Sequence, residues 1–155
     1  MNDFSDLLIS GSVVELSAVA NKKALFQQLA AVAARTYDVD AKAASTALAD
    51  RERLGSTGFG AGIAIPHGKI AGLDGVKGVF ARLVQPVDFQ SVDDLPVDLV
   101  FMLLSPVEAS ASHLKALARI SRRLRDAGFA AKLRGSRSAD ALFALWTQNE
   151  ERDAA

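Results

Sequence analysis

The stretch Val97-Asp-Leu-Val-Phe-Met-Leu-Leu104 decides the fold class, because it is apolar at every position except Asp98. A continuous apolar run of this length is typical of a central β-strand that is covered on both faces. Pro106 follows the run as a terminator, and shorter apolar stretches at 13–16 and 79–84 predict further strands. A sheet buried on both faces must be covered by helices, so the sequence predicts an α/β fold.

Two helices are predicted ahead of a glycine-rich segment. Asn21 is a suitable N-cap for a helix over Lys22–Tyr37, in which apolar residues recur at helical spacing. Asp40 is a suitable N-cap for a second, alanine-rich helix, which we expect to stop at Gly55. Arg51 then falls in the last turn of this second helix.

Two more helices are predicted after the central strand. Ser112 is a candidate N-cap for a helix that runs from His113 to about residue 127 and ends at Gly128. Ser138 is a candidate N-cap for a last helix that continues through Trp146. The helix after Ser112 has an inward face and a basic stripe that we expect to be solvated. The inward residues are Leu114, Leu117, Ile120 and Leu124, and the stripe is Lys115, Arg119, Arg122, Arg123 and Arg125.

Length and composition indicate one domain and narrow the classes of partner. The 155 residues, half of them hydrophobic, suit a single domain over 1–155 with a core at about 9–147 and a polar, frayed tail at 148–155. Eighteen basic residues balance eighteen acidic ones, which argues against binding to nucleic acid or to an anionic membrane surface. The acidic start of the chain and the short apolar runs predict neither a secretory signal nor a membrane insertion, so we expect a cytoplasmic protein.

Several kinds of chemistry are disfavoured by the motifs. The chain has no cysteine, its two histidines lie far apart, and no HExxH motif is present, so neither a metal nor another cofactor is predicted. No Gly-x-Ser-x-Gly motif occurs, which argues against a serine hydrolase. A Walker A loop fails on its glycine spacing and on Ile70, and a dinucleotide fingerprint fails on Ile63.

The segment from Gly55 to Lys69, Gly-Ser-Thr-Gly-Phe-Gly-Ala-Gly-Ile-Ala-Ile-Pro-His-Gly-Lys, carries the densest functional signal. Its glycines predict a loop whose backbone passes close to another part of the chain, followed by a strand over 62–65 that Pro66 ends. His67 would then stand at a strand end, with an unperturbed pKa of about 6.5 that leaves the ring largely neutral and nucleophilic. Spacing alone leaves a reactive histidine and an exposed turn histidine equally open.

Two other charged or titratable residues, Arg51 and His113, have simple structural interpretations when each is taken alone. Arg51 lies in the charge run Asp50-Arg-Glu-Arg53, and such runs are usually solvated helix faces. His113, at the start of its helix, is read most simply as a capping or partly buried residue.

Four motifs, taken together, favour a functional interpretation of these residues over a merely structural one. The motifs are Arg51-Glu-Arg-Leu-Gly-Ser-Thr-Gly58, Gly62-Ile-Ala-Ile-Pro-His-Gly-Lys69, Pro96-Val-Asp-Leu-Val-Phe-Met-Leu-Leu104 and His113-Leu-Lys-Ala-Leu-Ala-Arg-Ile-Ser121. With them the chain resembles the enzyme IIA components of the bacterial phosphoenolpyruvate phosphotransferase system. The resemblance is to the fructose/mannitol superfamily and specifically to its nitrogen-regulatory branch. It extends from about Ile9 to Trp146 and implies a single α/β domain with a mixed sheet covered by helices on both faces.

The resemblance also implies roles for individual residues. His67 would accept a phosphoryl group through Nε2, Arg51 would stabilise its charge, and His113 would orient it or hydrogen-bond to it. These residue types suit the chemistry, because phosphoryl transfer depends mainly on positioning and on stabilising the charge of the equatorial oxygens. A guanidinium grips two oxygens at once, and backbone N–H groups around Gly68, together with Lys69, would add donors and charge.

Two residues of the glycine-rich segment need separate comment. Ala61 stands where the family often has asparagine, so a polar contact of that side chain is lost here. We expect Phe59 to lie beside His67 and to contribute to the surface that both the phosphocarrier and the regulatory target use, although simple packing of the loop is an equally open interpretation.

The function implied by the resemblance is regulatory. A small histidine phosphocarrier protein would phosphorylate the chain reversibly, and the phosphorylation state would control binding to protein targets such as potassium-transport or sensor-kinase components. One alternative is a free-standing sugar-transport IIA protein that passes its phosphoryl group to a IIB domain. Another is a binding module whose histidine is never phosphorylated.

Overall fold

A six-stranded sheet lies at the centre of the computed structural model, which describes residues 3–148. The strands are β1 (Val13–Leu16), β2 (Gly58–Gly60), β3 (Ile63–Ala64), β4 (His67–Ile70), β5 (Lys77–Val87) and β6 (Val97–Pro106). They are arranged in the order β1-β5-β6-β3-β2, and β4 pairs with β6 beyond β3. Parallel pairs (β1 with β5, β3 and β4 with β6) and antiparallel pairs (β5 with β6, β2 with β3) occur together, so the mixed sheet is confirmed.

Helices cover both faces of this sheet, as predicted. The described helices are α1 (Lys22–Tyr37), α2 (Ala41–Arg53), α3 (Ser110–Arg125), α4 (Ala127–Gly135) and α5 (Ala139–Thr147). Alternate residues of β6 enter two separate cores: Val100 and Met102 pack with α1 and α2, whereas Leu99 and Phe101 pack with α3, α4 and α5. The prediction of a central strand buried on both faces is therefore confirmed.

The helix starts predicted from capping residues are confirmed for three of the four helices. The side chains of Asn21, Asp40 and Ser138 accept hydrogen bonds from backbone N–H groups three residues later, at 2.8, 2.8 and 3.1 Å. These caps satisfy donors that the first helical turn leaves unpaired. Arg51 lies in the last turn of α2, as expected.

The predicted bounds of the helix after the central strand are wrong at both ends. It begins at Ser110 and has no side-chain cap, so Ser112 lies inside the first turn. It ends at Arg125, because the extended Asp126 caps a separate helix, α4, by accepting from the N–H of Phe129 at 3.1 Å. Gly128 therefore lies within α4 and terminates nothing.

The inward face of α3 also differs from the expected one. Ile120 and Leu124 are buried as predicted and Leu117 is partly buried, but Leu114 is 66% exposed. The buried stripe begins one residue earlier, at His113, and continues through Ala116. An imidazole thus takes the first inward position, where an apolar residue was expected.

The basic stripe of α3 is less solvated than its pattern predicts. Arg119 forms an ion pair with Asp6 at 2.7 Å and stacks over Phe4, and Arg123 stacks over Phe129 at 3.8 Å from the ring centre. The guanidinium planes cover apolar surface while the charges stay near water.

The glycine-rich segment is more regular than predicted, because Gly58–Gly60 forms the short strand β2 against β3. Close backbone approach, the other half of that prediction, is confirmed. A Cβ atom on Gly58 would lie 2.3 Å from the hydroxyl oxygen of Ser91. Ala61 adopts a left-handed conformation (φ 57°), and its backbone N–H donates to Asp93 at 2.9 Å.

The packed core starts before residue 9, since Phe4, Leu7 and Leu8 are buried. Phe4 packs edge-on against Trp146 at 5.0 Å, which ties the start of the chain to α5. Most of the tail predicted to fray, residues 149–155, lies outside the described residues. Across residues 3–148, no helix is both long and apolar enough to cross a membrane.

Candidate functional site

His67 opens β4 at an edge of the sheet. The strands β3 and β4 share one register on β6, with Ile63 opposite Leu99 and His67 opposite Leu103, and the pairing is interrupted between them. Pro66 lacks an N–H group to donate, so the ladder breaks there and resumes at His67. The prediction that the strand ends at Pro66 is therefore incomplete, and His67 is half-buried on a strand instead of exposed in a turn.

The imidazole of His67 is held in one tautomer by its own backbone. Its Nδ1 lies 2.7 Å from the carbonyl oxygen of Ile65, and a carbonyl oxygen can only accept, so Nδ1 carries the hydrogen. The neutral ring then has a bare Nε2. Burial lowers the pKa of His67 below its ordinary value, and the charge of Arg51 adds to this effect, while the hydrogen bond with Ile65 and the carboxylate of Glu52 oppose it. His67 is therefore neutral, with a nucleophilic Nε2, at physiological pH.

Arg51 reaches the same cleft from α2, which packs on one face of the sheet. Its Nη1 donates to the carbonyl oxygen of Gly55 at 3.0 Å, which fixes one side of the guanidinium fork. The cleft between α2 and β4 has a volume of about 920 Å³ and is lined by both Arg51 and His67. The side chain is thus anchored beside the imidazole and is not a freely solvated end of a charge run.

His113 approaches His67 from α3, on the opposite face of the sheet. The two ring centres lie 5.4 Å apart, and His113 is only 7% exposed. Burial lowers the pKa of His113 to about 4, and the charges of His67 and Lys69 contribute to the shift. Both imidazoles are therefore uncharged at neutral pH, whereas Arg51 brings a positive charge to the cleft.

Lys69 lies in the same cleft and is anchored on α3. Its Nζ donates to the hydroxyl of Ser110 at 2.9 Å, at the first residue of that helix. This contact places a second positive charge at the mouth of the site, next to His113.

Gly68 has a different part in the site from the one expected. The Pro66 carbonyl accepts from the N–H of Leu103 at 3.0 Å, and backbone groups alternate along a parallel strand, so the N–H of Gly68 also faces β6. The N–H of Lys69 faces the open edge instead. A Cβ atom on Gly68 would lie 2.9 Å from the Cβ and 3.1 Å from the carbonyl carbon of Ala47. Gly68 therefore allows α2, and Arg51 with it, to pack closely on β4.

We expect Gly68→Ala to reduce the free energy of unfolding by about 1–3 kcal/mol, the range for overpacking a tight contact. The new methyl group must displace the backbone of α2, which also carries Arg51. Gly75→Ala is the matched control, since a Cβ there meets no atom within 4 Å. Chemical denaturation of both variants checks the prediction, and equal stability of the two would contradict it.

Phe59 does not line the His67 cleft. It lies half-buried on β2, its ring is covered by the guanidinium of Arg125 at 5.1 Å, and it lines a second cleft beside α4. The expected position of Phe59 beside His67 is thus wrong, although its use as a partner surface stays a prediction.

Glu52 is a site residue that the sequence analysis missed, because it lies in the charge run 50–53. Its side chain is 7% exposed. It accepts from the hydroxyl of Thr57 at 2.6 Å, from the N–H of Thr57 at 3.1 Å and from Nζ of Lys22 at 2.9 Å. One carboxylate thus joins α1, the end of α2 and the glycine-rich segment. The helical spacing of Ala44, Leu48 and Glu52 on the inward face of α2 was the available signal.

The arrangement suits attack on a small anionic group. A neutral ring nitrogen faces a cleft that holds the cations of Arg51 and Lys69, and a second neutral imidazole lies beside it. Fixed cations stabilise the negative charge that such an electrophile carries through the reaction.

Comparison with known proteins identifies the family. Residues 7–149 match the profile of the family described as "Phosphoenolpyruvate-dependent sugar phosphotransferase system, EIIA 2". A protein of Bradyrhizobium diazoefficiens named "Nitrogen regulatory protein" is 48% identical over 141 residues, which are 91% of this chain and 92% of that protein.

Solved structures support the fold independently. The crystal structure of nitrogen regulatory protein IIA-Ntr from Neisseria meningitidis superposes with a TM-score of 0.80 at 35% identity, covering 88% of this chain and 94% of that one. IIA mannitol from Escherichia coli has a TM-score of 0.74 at 22% identity, covering 90% and 99% of the two chains, and shares the fold.

Proposed function

The chain belongs to the EIIA 2 family of the phosphoenolpyruvate-dependent sugar phosphotransferase system, and by homology to its nitrogen regulatory proteins; from this premise we propose that His67 carries a regulatory phosphoryl group. The donor is a small histidine phosphocarrier protein in the cytoplasm. The phosphorylated and free forms then bind protein targets differently.

The contact between Nδ1 of His67 and the Ile65 carbonyl is the observation that carries this proposal. In the transfer, Nε2 of His67 forms a bond to phosphorus while the bond from phosphorus to the carrier's histidine nitrogen breaks. The carrier's ring keeps the electron pair of the broken bond. His67 has no proton on Nε2 to lose, and its Nδ1 hydrogen stays on the 2.7 Å contact. Acceptance of the phosphoryl group therefore needs no general base.

The other residues of the cleft support the transfer electrostatically. Arg51 and Lys69 line the cleft that would receive the phosphoryl group, so their charges are available to its three equatorial oxygens. A loose transition state needs such charge stabilisation more than covalent help. The fork of Arg51 suits two oxygens at once. His113 is neutral, so its part is a hydrogen bond to an oxygen and not a charge.

Reconstitution with purified components tests the choice among the three functions. The general sugar-system carrier and the nitrogen-system carrier are supplied separately, each with phosphoenolpyruvate and its own enzyme I. We expect faster phosphorylation by the nitrogen-system carrier and no onward transfer to a IIB domain. Preference for the sugar-system carrier with onward transfer to IIB would support the sugar-transport alternative. Absence of labelling with either carrier would support the third function, a binding module whose histidine is never phosphorylated.

Phosphorylation should act as a binding switch without refolding the domain. The phosphoryl group adds nearly two negative charges beside Arg51 and Lys69, which reverses the local potential. We expect the affinity for a regulatory target, such as a potassium-transport or sensor-kinase component, to change by at least ~10-fold, or about 1.4 kcal/mol. Titration of one target with His67→Ala protein and with phosphorylated wild type measures the change. If the two forms bind the target with equal affinity, the protein only relays the phosphoryl group and phosphorylation does not control target binding.

The partner role of Phe59 belongs to the same proposal but to a different surface. Because Phe59 lines a cleft apart from His67, Phe59→Ala should leave the rate of phosphorylation unchanged and weaken only target binding. Loss of carrier phosphorylation in this variant would place Phe59 in the carrier surface instead.

A further inference from the structure

His113 has a buried hydroxyl as its neighbour. Ser105, on β6, is fully buried, and its Oγ lies 2.6 Å from Nδ1 of His113. The register of β6 places Ser105 opposite Lys69, two residues beyond the position opposite His67. The serine therefore supports the second imidazole of the site from beneath.

The direction of this hydrogen bond can be settled by counting donors and acceptors. A serine hydroxyl donates one hydrogen, whereas a neutral imidazole has one donating and one accepting nitrogen. If Nδ1 of His113 donated to Ser105, the buried hydroxyl hydrogen would need another acceptor, and residues 3–148 show no other side-chain hydrogen bond of this serine. A buried donor without an acceptor is strongly unfavourable, so Ser105 donates and Nδ1 accepts.

The accepting Nδ1 fixes the proton of His113 on the opposite nitrogen. Nε2 points away from Ser105, and the imidazole lines the cleft that contains His67. We propose that Ser105 is a positioning residue, which holds neutral His113 as the Nε2–H tautomer so that it donates a hydrogen bond to the phosphoryl group on His67. The donor role rests on the proposed function, whereas the tautomer does not.

The distinction between tautomers decides what His113 contributes. As the Nε2–H tautomer, the ring offers a hydrogen to a phosphoryl oxygen. As the Nδ1–H tautomer, it would present a lone pair to an anion. Because burial keeps His113 uncharged near neutral pH, the ring cannot become a donor at both nitrogens by taking up a proton. The hydrogen bond from Ser105 therefore selects the donating tautomer of His113, whereas protonation of the ring does not supply a donor near neutral pH.

NMR of the unphosphorylated protein tests the tautomer directly. With ¹⁵N-labelled histidine, long-range ¹⁵N–¹H correlations distinguish the protonated from the bare ring nitrogen of each histidine. We expect His113 as the Nε2–H tautomer and His67 as the Nδ1–H tautomer in the wild type. A wild-type His113 with its hydrogen on Nδ1 would overturn the proposal, and this measurement needs neither a variant nor phosphorylation.

The role in transfer is tested with Ser105→Ala, and Ser112→Ala is the matched control because Ser112 is exposed and precedes His113 on α3. We expect Ser105→Ala to leave the His67 tautomer unchanged, to give mixed His113 tautomers, and to slow phosphorylation by about 3- to 10-fold, the effect of one lost hydrogen bond. The control should match wild type. An unchanged His113 tautomer in Ser105→Ala, or an unchanged rate with a changed tautomer, would overturn the positioning role.

The two proposals can fail separately. If the wild-type tautomers are as expected but no carrier labels the chain, the proposed function fails, and the donor role of His113 fails with it while the tautomer assignment stands.

Discussion

His67→Ala is expected to abolish stable phosphorylation of the chain. The chain has two histidines and no cysteine, and only His67 combines a fixed Nδ1–H with a bare Nε2 in the cleft. The wild-type phosphoryl group should be labile in acid and stable in alkali, as a bond from phosphorus to a ring nitrogen is. Labelling from a phosphorylated carrier, followed by acid and alkali treatment, measures both properties.

The fold should survive this substitution. His67 is half-buried at a sheet edge, and within residues 3–148 its one side-chain hydrogen bond is to Ile65, two residues away. His113→Asn is the matched control, since it removes the other imidazole and should leave a chain that is labelled slowly at His67. Full labelling of a folded His67→Ala variant would contradict the assignment of His67 as the phosphoryl acceptor.

Arg51→Ala is expected to slow phosphoryl transfer by about 100- to 1000-fold without changing the acceptor. This range is typical for the loss of one preorganised group that stabilises charge. Arg51→Lys keeps the charge but loses the two-oxygen fork and the geometry of the contact with Gly55, so we expect it to recover only part of the rate. Rapid-mixing kinetics with a phosphorylated carrier gives the three rates.

Arg53→Ala is the matched control for Arg51. Arg53 lies in the same last turn of α2, pairs with Asp50 on the surface, and has a side chain that is 73% exposed. Its replacement should leave the rate within a factor of about two, because exposed ion pairs contribute little. Equal rates for Arg51→Ala and Arg53→Ala would show that Arg51 has no special role in phosphoryl transfer.

The elements that sequence predicted best are those whose signals are local. The continuous apolar run of β6 and the caps Asn21, Asp40 and Ser138 depend on a few neighbouring residues, and each has its expected structure. The break between α3 and α4 was missed because Leu124 continues the apolar period while Asp126 caps a new helix. The continuation of the strand at His67 was missed because pairing with β6, a distant segment, overrides the break at Pro66.

The site was harder to predict, since its parts come from opposite faces of the sheet. Arg51 extends from α2, which packs in one core, and His113 from α3, which packs in the other, and both line the cleft where β4 begins. Spacing along the chain could not show this meeting, and the resemblance to a family suggested it. Glu52 and Ser105 were missed because their functions depend on burial and on partners in other elements of the fold, which spacing along the chain does not show.

NMR can identify the ring nitrogen that is bonded to phosphorus. The phosphorylated protein, labelled with ¹⁵N at histidine, should show coupling of ³¹P to Nε2 of His67, while Nδ1 of the same ring keeps its hydrogen on the Ile65 carbonyl. Coupling to Nδ1 of His67, or to either nitrogen of His113, would contradict the assignment of Nε2 of His67 as the phosphoryl acceptor.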